Sequence, residues 1–173
     1  MSYRETRCYA FFMRVTYFRN FIFGVEDSLV STVGLLSGIA IAGVEHYTIF
    51  LTGVVLIFVE AFSMGAGSFL SETSAEEYTA GQNVSQKDSV LAGAVMFCSY
   101  FVAGFIPLFP YLVVTGTNAL IISIVLSIAA LFILGAASGA FARARVLRSA
   151  FRMAIVGGGA IGVGILVGSL VGL

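Results

Sequence analysis

Five long apolar stretches, joined by short polar connections, dominate the sequence. They cover residues 20–43, 47–71, 89–114, 118–142 and 150–173. Each reaches the roughly 20 residues that a helix needs to cross 30 Å of hydrocarbon. Because the stretches are continuously apolar and do not alternate, they are typical of membrane helices and not of barrel strands. The sequence therefore predicts an all-α integral membrane protein with five transmembrane helices.

The composition excludes several classes of protein. Hydrophobic residues make up 59% of the chain and charged residues only 10%, which is too little polar surface for a water-soluble globule of 173 residues. This apolar composition predicts membrane lipids as partners. The formal net charge is zero, so we expect no nucleic-acid partner. With one histidine and no nucleophile beside a base, the sequence predicts neither an enzyme nor a bound cofactor.

The basic residues predict the orientation in the membrane. They precede the first stretch or lie in the second and fourth connections, at Arg4, Arg7, Arg14, Arg19, Lys87, Arg143, Arg145, Arg148 and Arg152. Five crossings place all of them on one side, which the positive-inside rule assigns to the cytoplasm. The N-terminus is then cytoplasmic and the C-terminus outside or lumenal. Residues 1–19 are predicted to be a cytoplasmic or interfacial segment, followed by a single transmembrane domain over residues 20–173.

Three acidic residues lie inside the apolar stretches: Glu26, Asp27 and Glu60. A charged side chain at the centre of a membrane helix costs about 2.5 to 3.5 kcal/mol, so each one needs a reason. Asp27 lies about 11 Å below the cytoplasmic surface at 1.5 Å per residue, and Met64 reaches a similar depth on the returning second helix. Glu60 lies one turn below Met64. We therefore expect Asp27, Met64 and Glu60 to face one another.

This trio of side chains has the chemistry of a metal site. Carboxylate oxygens bind hard divalent cations, and a thioether adds affinity for softer transition metals such as iron(II) or manganese(II). The alternatives are a structural hydrogen bond or a paired acid for Asp27 and Glu60, and simple packing for Met64. Glu26 points about 100° away from Asp27, so it serves either as a second ligand or at a subunit contact.

Other polar residues lie near the ends of the second stretch. Glu72, Glu76 and Glu77 continue it into the cytoplasm, where they either gather cations at an entrance or form a solvated helix end. On the far side, His46 with Glu45 is an exit ligand or proton sensor, or an ordinary loop histidine.

Glycines and prolines predict local features of the helices. Glycines recur at four-residue spacing, as in Gly34 and Gly38 or Gly164 and Gly168, which favours close helix packing, including packing between subunits. Pro107 and Pro110 are expected to bend the third helix near its outer end.

Several segments together resemble the vacuolar iron transporter family. Residues 19–38, RNFIFGVEDSLVSTVGLLSG, are similar to the first helix of that family. Further matches are AFSMGAGSFLSETSAEEY at 61–78, PLFPY at 107–111 and LRSAFRMAIVGG at 147–158. The resemblance covers nearly the whole chain from Arg19 onward.

The resemblance implies a five-helix homodimer that exchanges cytosolic iron(II) or manganese(II) for protons, with the ion pathway near the subunit interface. It makes Asp27 and Met64 metal ligands. Family members often carry the second-helix acid at the position of Leu56, whereas this chain has Glu60 one turn before the methionine. Other members insert a cytoplasmic metal-binding domain between the second and third helices, where this chain has only residues 73–87, so it resembles a short form.

Three functions follow from these observations as hypotheses. The leading one is a proton-coupled exporter of iron(II) or manganese(II), located in the cell membrane of a prokaryote or in a vacuolar or other organelle membrane of a eukaryote. The alternatives are a membrane anchor or assembly module whose buried acids are structural, and a passive channel for divalent metals.

Overall fold

The computed structural model describes residues 3–80 and 86–172, and their secondary structure is entirely helical. The helices are α1 (Tyr3–Ile41), α2 (His46–Ala80), α3 (Lys87–Leu108), α4 (Pro110–Val113), α5 (Thr117–Phe141) and α6 (Val146–Val171). The side chains of Arg4 and Arg7 lie outside the described residues.

Five of these helices are long and apolar enough to cross a membrane, which confirms the prediction of five spans and an integral membrane protein. The candidate spans are Met13–Ile41, His46–Thr79, Lys87–Leu108, Thr117–Phe141 and Val146–Val171. The first two are longer than predicted because α1 and α2 continue as unbroken helices beyond the apolar stretches. At 1.5 Å per residue, α2 is about 50 Å long and extends well past the hydrocarbon.

Five crossings place the start of α1 and the α2–α3 and α5–α6 connections on the same side of the bundle. We call this the basic side, because Arg19, Lys87 and the arginines of the α5–α6 connection lie there. The opposite side carries the α1–α2 turn and the α4–α5 turn. At the α1–α2 turn, Gly43 takes a positive φ of 79°, and hydrogen bonds back to Ala40 and Ile39 close the end of α1.

The third span ends earlier than the sequence predicted. Pro107 is accommodated inside α3, and the chain leaves the helix at Phe109 before Pro110 opens the one-turn helix α4. The carbonyl of Pro107 instead accepts a hydrogen bond from Ser123 of α5 at 2.7 Å. A hydroxyl on a neighbouring helix thus satisfies the backbone where the proline pair interrupts the helix.

Helix α1 is the centre of the bundle, since it packs against α2, α3, α5 and α6. Leu29, Val33 and Leu36 of α1 are completely buried. Glycines allow its closest approach to α6: a side chain at Gly164 or Gly168 would meet the backbone of Gly34 or Gly38. This glycine ridge therefore packs two helices of the same protomer, where the sequence alone also allowed a contact between subunits.

Candidate metal-binding site

A cavity of about 590 Å³ opens between α1, α2 and α3 near the basic side. Its wall includes Arg19, Asn20 and Phe23 of α1 and Met96 of α3. The α2 wall combines polar and small residues with the thioether of Met64; these residues are Ser63, Met64, Gly67, Ser68, Ser71 and Glu72. Asp27 and Glu60, which the sequence predicted as metal ligands, do not line this cavity.

Oxygen and sulfur donors on α2 follow a single i, i+4 ridge. In order from the membrane interior they are Glu60, Met64, Ser68, Glu72 and Glu76. Met64, Ser68 and Glu72 all line the cavity, which shows that this part of the ridge faces α1 and α3. The ridge pattern arises because residues four apart in a helix are neighbours on its surface. It provides donors at every turn from the mouth of the cavity inward.

Asp27 and Glu60 lie one helical turn deeper than the cavity wall. Asp27 follows Phe23 by four residues on α1, and Glu60 precedes Met64 by four residues on α2. Both carboxyl groups are partly buried, and they lie close enough for the charge of Glu60 to act on Asp27. In the described part of the chain, the structure pairs neither one with an arginine or lysine. Two neighbouring carboxylates inside the bilayer without a basic partner favour a bound cation or proton.

Glu26 has a different environment from its neighbour Asp27. The opposite charge that acts on it is Arg152 of α6, and Asp27 acts on it with the same sign. Glu26 thus faces the α1–α6 side of the bundle, as its helical angle from Asp27 predicts. Among the described residues, no three His, Cys, Asp or Glu side chains form a group that holds a metal. A site at Asp27 and Glu60 therefore draws its remaining ligands from Met64, water or a second copy of the chain.

The mouth of the cavity is closed on one side by an ion pair. The Arg19 guanidinium donates to the Glu72 carboxylate at 3.0 Å, with Glu72 only 13% exposed and Arg19 70% exposed. One turn further out, Ser89 of α3 donates a hydrogen bond to Glu76 at 3.1 Å. Glu77 is exposed. Of the three glutamates expected at an entrance, Glu72 alone lines the cavity, Glu76 ties α2 to α3, and Glu77 faces solvent.

Two residues with a place in this site were not singled out from the sequence. Asn20 is buried and donates hydrogen bonds to Ser68 at 2.8 Å and to the Ala92 carbonyl at 3.3 Å, so it joins the three helices that form the cavity. Tyr100 is fully buried, shares a 2.7 Å hydrogen bond with Ser31, and lies within electrostatic reach of Asp27 and Glu60. The sequence signal that could have identified Asn20 is its position: it is a polar residue seven positions, or about two helical turns, before Asp27.

His46 lies on the opposite side, at the first residue of α2. Its ring centroid is 6.0 Å from that of Tyr111, and both residues line a small cavity of about 220 Å³. Glu45 is exposed in the turn before it. The structure therefore separates His46 from the cavity of the basic side, and its role as an exit ligand stays a prediction.

Comparison with protein families gives a match to the VIT family over residues 18–90 and 75–169. These two segments cover most of the chain, including every residue of the candidate site. The chain belongs to the VIT family. The membership confirms the resemblance seen in the sequence motifs around Asp27 and Met64.

A VIT relative from Arabidopsis thaliana, Vacuolar iron transporter 1, is 23% identical over 199 aligned residues. The alignment covers 80% of this chain and 80% of the relative. Because 199 positions exceed the 173 residues of this chain, the relative carries residues that this VIT protein lacks within the aligned region.

Proposed function

We propose that this VIT protein exports iron(II) or manganese(II) from the cytosol in exchange for protons, with Asp27, Glu60 and Met64 as the ion site. The cavity of the basic side carries the argument. It runs from Glu72 at its mouth to Met64, and the neighbouring carboxylates of Asp27 and Glu60 lie one turn deeper. Oxygen donors with one thioether suit a divalent transition metal.

The orientation and the assembly follow from the same residues. The basic side faces the cytoplasm by the positive-inside rule, so the cavity opens to cytosolic metal. Two carboxylates and one thioether supply fewer ligands than the six that iron(II) or manganese(II) takes in octahedral sites. A homodimer that brings two such sets together completes the coordination, and Glu26 is a further candidate ligand in that assembly.

Proton exchange follows from competition for the same carboxylates. A metal ion binds the ionised form of Asp27 and Glu60, so its arrival releases protons and its departure allows them to return. Alternation between the two occupants couples the opposing fluxes without a separate proton path. The similarity to the Arabidopsis vacuolar iron transporter supports iron as the cargo.

The two segments of the family match overlap at residues 75–90, which comprise the end of α2, the α2–α3 connection and the start of α3. This division and the extra residues of the relative support a short form in which the insertion between α2 and α3 is missing. We expect the protein to be located in a vacuolar or other organelle membrane in a eukaryote, or in the cell membrane in a prokaryote.

The test is uptake of iron(II) or manganese(II) by vesicles that contain the purified protein, with an imposed proton gradient. We expect Asp27→Ala to reduce uptake at least about tenfold, because the pair then loses one of its two anionic ligands. Met64→Leu should lower the affinity for iron(II) and manganese(II) by about tenfold while leaving magnesium binding unchanged. Binding is read from metal-dependent thermal stabilisation.

Matched controls come from the same chain. Glu45→Gln removes an exposed acid on the opposite side, and Met153→Leu changes a partly buried methionine on α6 that does not line the cavity. Both variants should transport at the native rate. Native uptake in Asp27→Ala and Met64→Leu would contradict the proposed site, and metal entry without proton movement would instead indicate a channel.

A further inference from the structure

A second and larger groove lies at the basic side, away from the cavity of the ion site. It has a volume of about 980 Å³ and is formed by the end of α5, the α5–α6 connection and the first turns of α6. Three arginines line it: Arg145, Arg148 and Arg152. They are spaced three and four residues apart, so they share one face at the start of α6. The groove plays no part in the proposed transport mechanism.

The positive charge of this groove is largely uncompensated. In the described part of the chain, the structure shows no carboxylate within ion-pair distance of Arg145 or Arg148, and the charge acting on Arg152 is Glu26. Arg145 is also the N-cap of α6, and no side chain caps the free amide groups of the first turn. Guanidinium groups and open helix amides are both suited to bind phosphate oxygens.

The groove continues from these charges onto an apolar surface. Phe151 lines it between Arg148 and Arg152, and Ile155 and Val156 line it beyond Arg152; their exposed fractions are 54%, 71% and 56%. These residues lie on α6 one to two turns deeper in the membrane than Arg148. A free anion uses only the arginines, whereas a phospholipid matches both parts, with its phosphate at the arginines and its acyl chains along the apolar residues.

We propose that this groove is a binding site for an anionic phospholipid of the leaflet on the basic side. Positive residues near a membrane surface attract anionic headgroups, and a basic pocket between transmembrane helices localises that attraction to one site. Because the groove opens at the membrane boundary, the lipid enters sideways from the bilayer. The proposal concerns binding alone and is independent of the proposed function.

The chain contains no tryptophan, so a single introduced one reports on a chosen position. We would place it by Ile155→Trp in the full-length protein and reconstitute it into vesicles that contain brominated phosphatidylglycerol or brominated phosphatidylcholine. Bromine quenches only a tryptophan that the labelled lipid touches. We expect phosphatidylglycerol to be preferred about fivefold for each arginine it engages. Arg145→Gln with Arg148→Gln should abolish most of that preference.

Two controls separate a local site from general attraction to the membrane. Phe62→Trp places the reporter on an exposed position of α2, away from the arginines of the groove, and should show no preference between the two lipids. Arg14→Gln with Lys87→Gln removes two charges of the basic side outside the groove and should leave the preference at position 155 intact. Excess inorganic phosphate should also leave it intact, because the acyl chains contribute to binding.

Five results would overturn the proposal. The first four are equal quenching by the two lipids at position 155, an unchanged preference after Arg145 and Arg148 are replaced, an equal preference at position 62, and loss of the preference in free phosphate. The fifth is that neither lipid quenches the tryptophan at position 155, since protein would then cover the groove. The readout uses no transport, so it stands or fails separately from the uptake experiment.

Discussion

Arg19 and Glu72 form an ion pair at the mouth of the cavity of the basic side. Their ion pair joins α1 to α2 at 3.0 Å, and Arg19 is largely exposed to solvent. Exposed ion pairs contribute only about 0 to 1 kcal/mol, because water and salt compete with them. If the proposed metal enters here, we expect a divalent cation at the mouth to displace Arg19 from Glu72, so that the pair is a weak barrier that favours doubly charged ions.

Removing Arg19 tests this role. Arg19→Gln leaves Glu72 free to attract the cation, so we expect the KM for metal uptake to fall up to about fivefold, equivalent to about 1 kcal/mol. In a Glu72→Gln background the same change should have no effect, because Arg19 acts through Glu72.

Arg14→Gln is the matched control, since it removes an exposed positive charge from the same helix. It should leave KM within twofold of the native value, as distant exposed charges are screened. An equal fall in KM for Arg14→Gln and Arg19→Gln, or an Arg19 effect that persists without Glu72, would contradict this reading of the ion pair.

The depth of single residues could be predicted from the sequence, but their partners could not. Asp27 and Glu60 were expected at adjacent levels because each residue of a membrane helix adds a fixed rise, and the structure places them within electrostatic reach. Arg19 and Glu72 are 53 residues apart. Their pairing depends on how two long helices are rotated about their axes, and residue spacing within one helix does not determine that rotation.

At the level of whole helices, the contact between α1 and α6 depends on glycines that face each other. A side chain at Gly168 would meet the backbone of Gly38, whereas Gly162, on the same helix, has open space around it. Gly162 follows Gly158 at the same four-residue spacing at which Gly168 follows Gly164, so spacing alone does not distinguish the two. The sequence does not tell which glycines face a neighbouring helix and which face lipid, because the part of α6 that follows Arg152 is apolar on nearly all sides.

This difference predicts unequal costs for the same substitution. Gly168→Val should destabilise the protein by about 1 to 3 kcal/mol more than Gly162→Val, because the added side chain forces α6 away from α1. Helix propensity changes equally in both variants, so it cancels in the comparison. Stability is measured by helical circular dichroism during denaturation in sodium dodecyl sulfate, and equal losses in the two variants would show that α1 and α6 do not pack here.

At the scale of the whole molecule, the distribution of charge predicts the orientation of the protein in the membrane. The number of crossings was predictable because continuous apolar stretches of this length have few alternatives. The ends of the spans were less predictable. Helix α2 continues to Ala80 and α3 ends at Leu108, because helix continuity in polar segments depends on local backbone bonding and not on hydropathy. Neither error moves a connection to the other side.

The orientation can be tested with two engineered thiols in a background where Cys8 and Cys98 are replaced by serine. Thr117→Cys lies at the start of α5 on the opposite side, and Ala144→Cys lies in the exposed α5–α6 connection on the basic side. If the basic side is cytoplasmic and the protein lies in the cell membrane, a membrane-impermeant maleimide added to intact cells should not reach residue 144. It should label residue 117 directly in these cells. For a protein in an organelle membrane, the same maleimide added to intact organelles should label residue 144 directly and residue 117 only after permeabilisation. Labelling of both thiols from one side without permeabilisation would break the five-crossing topology, and with it the entry of cytosolic metal at Glu72.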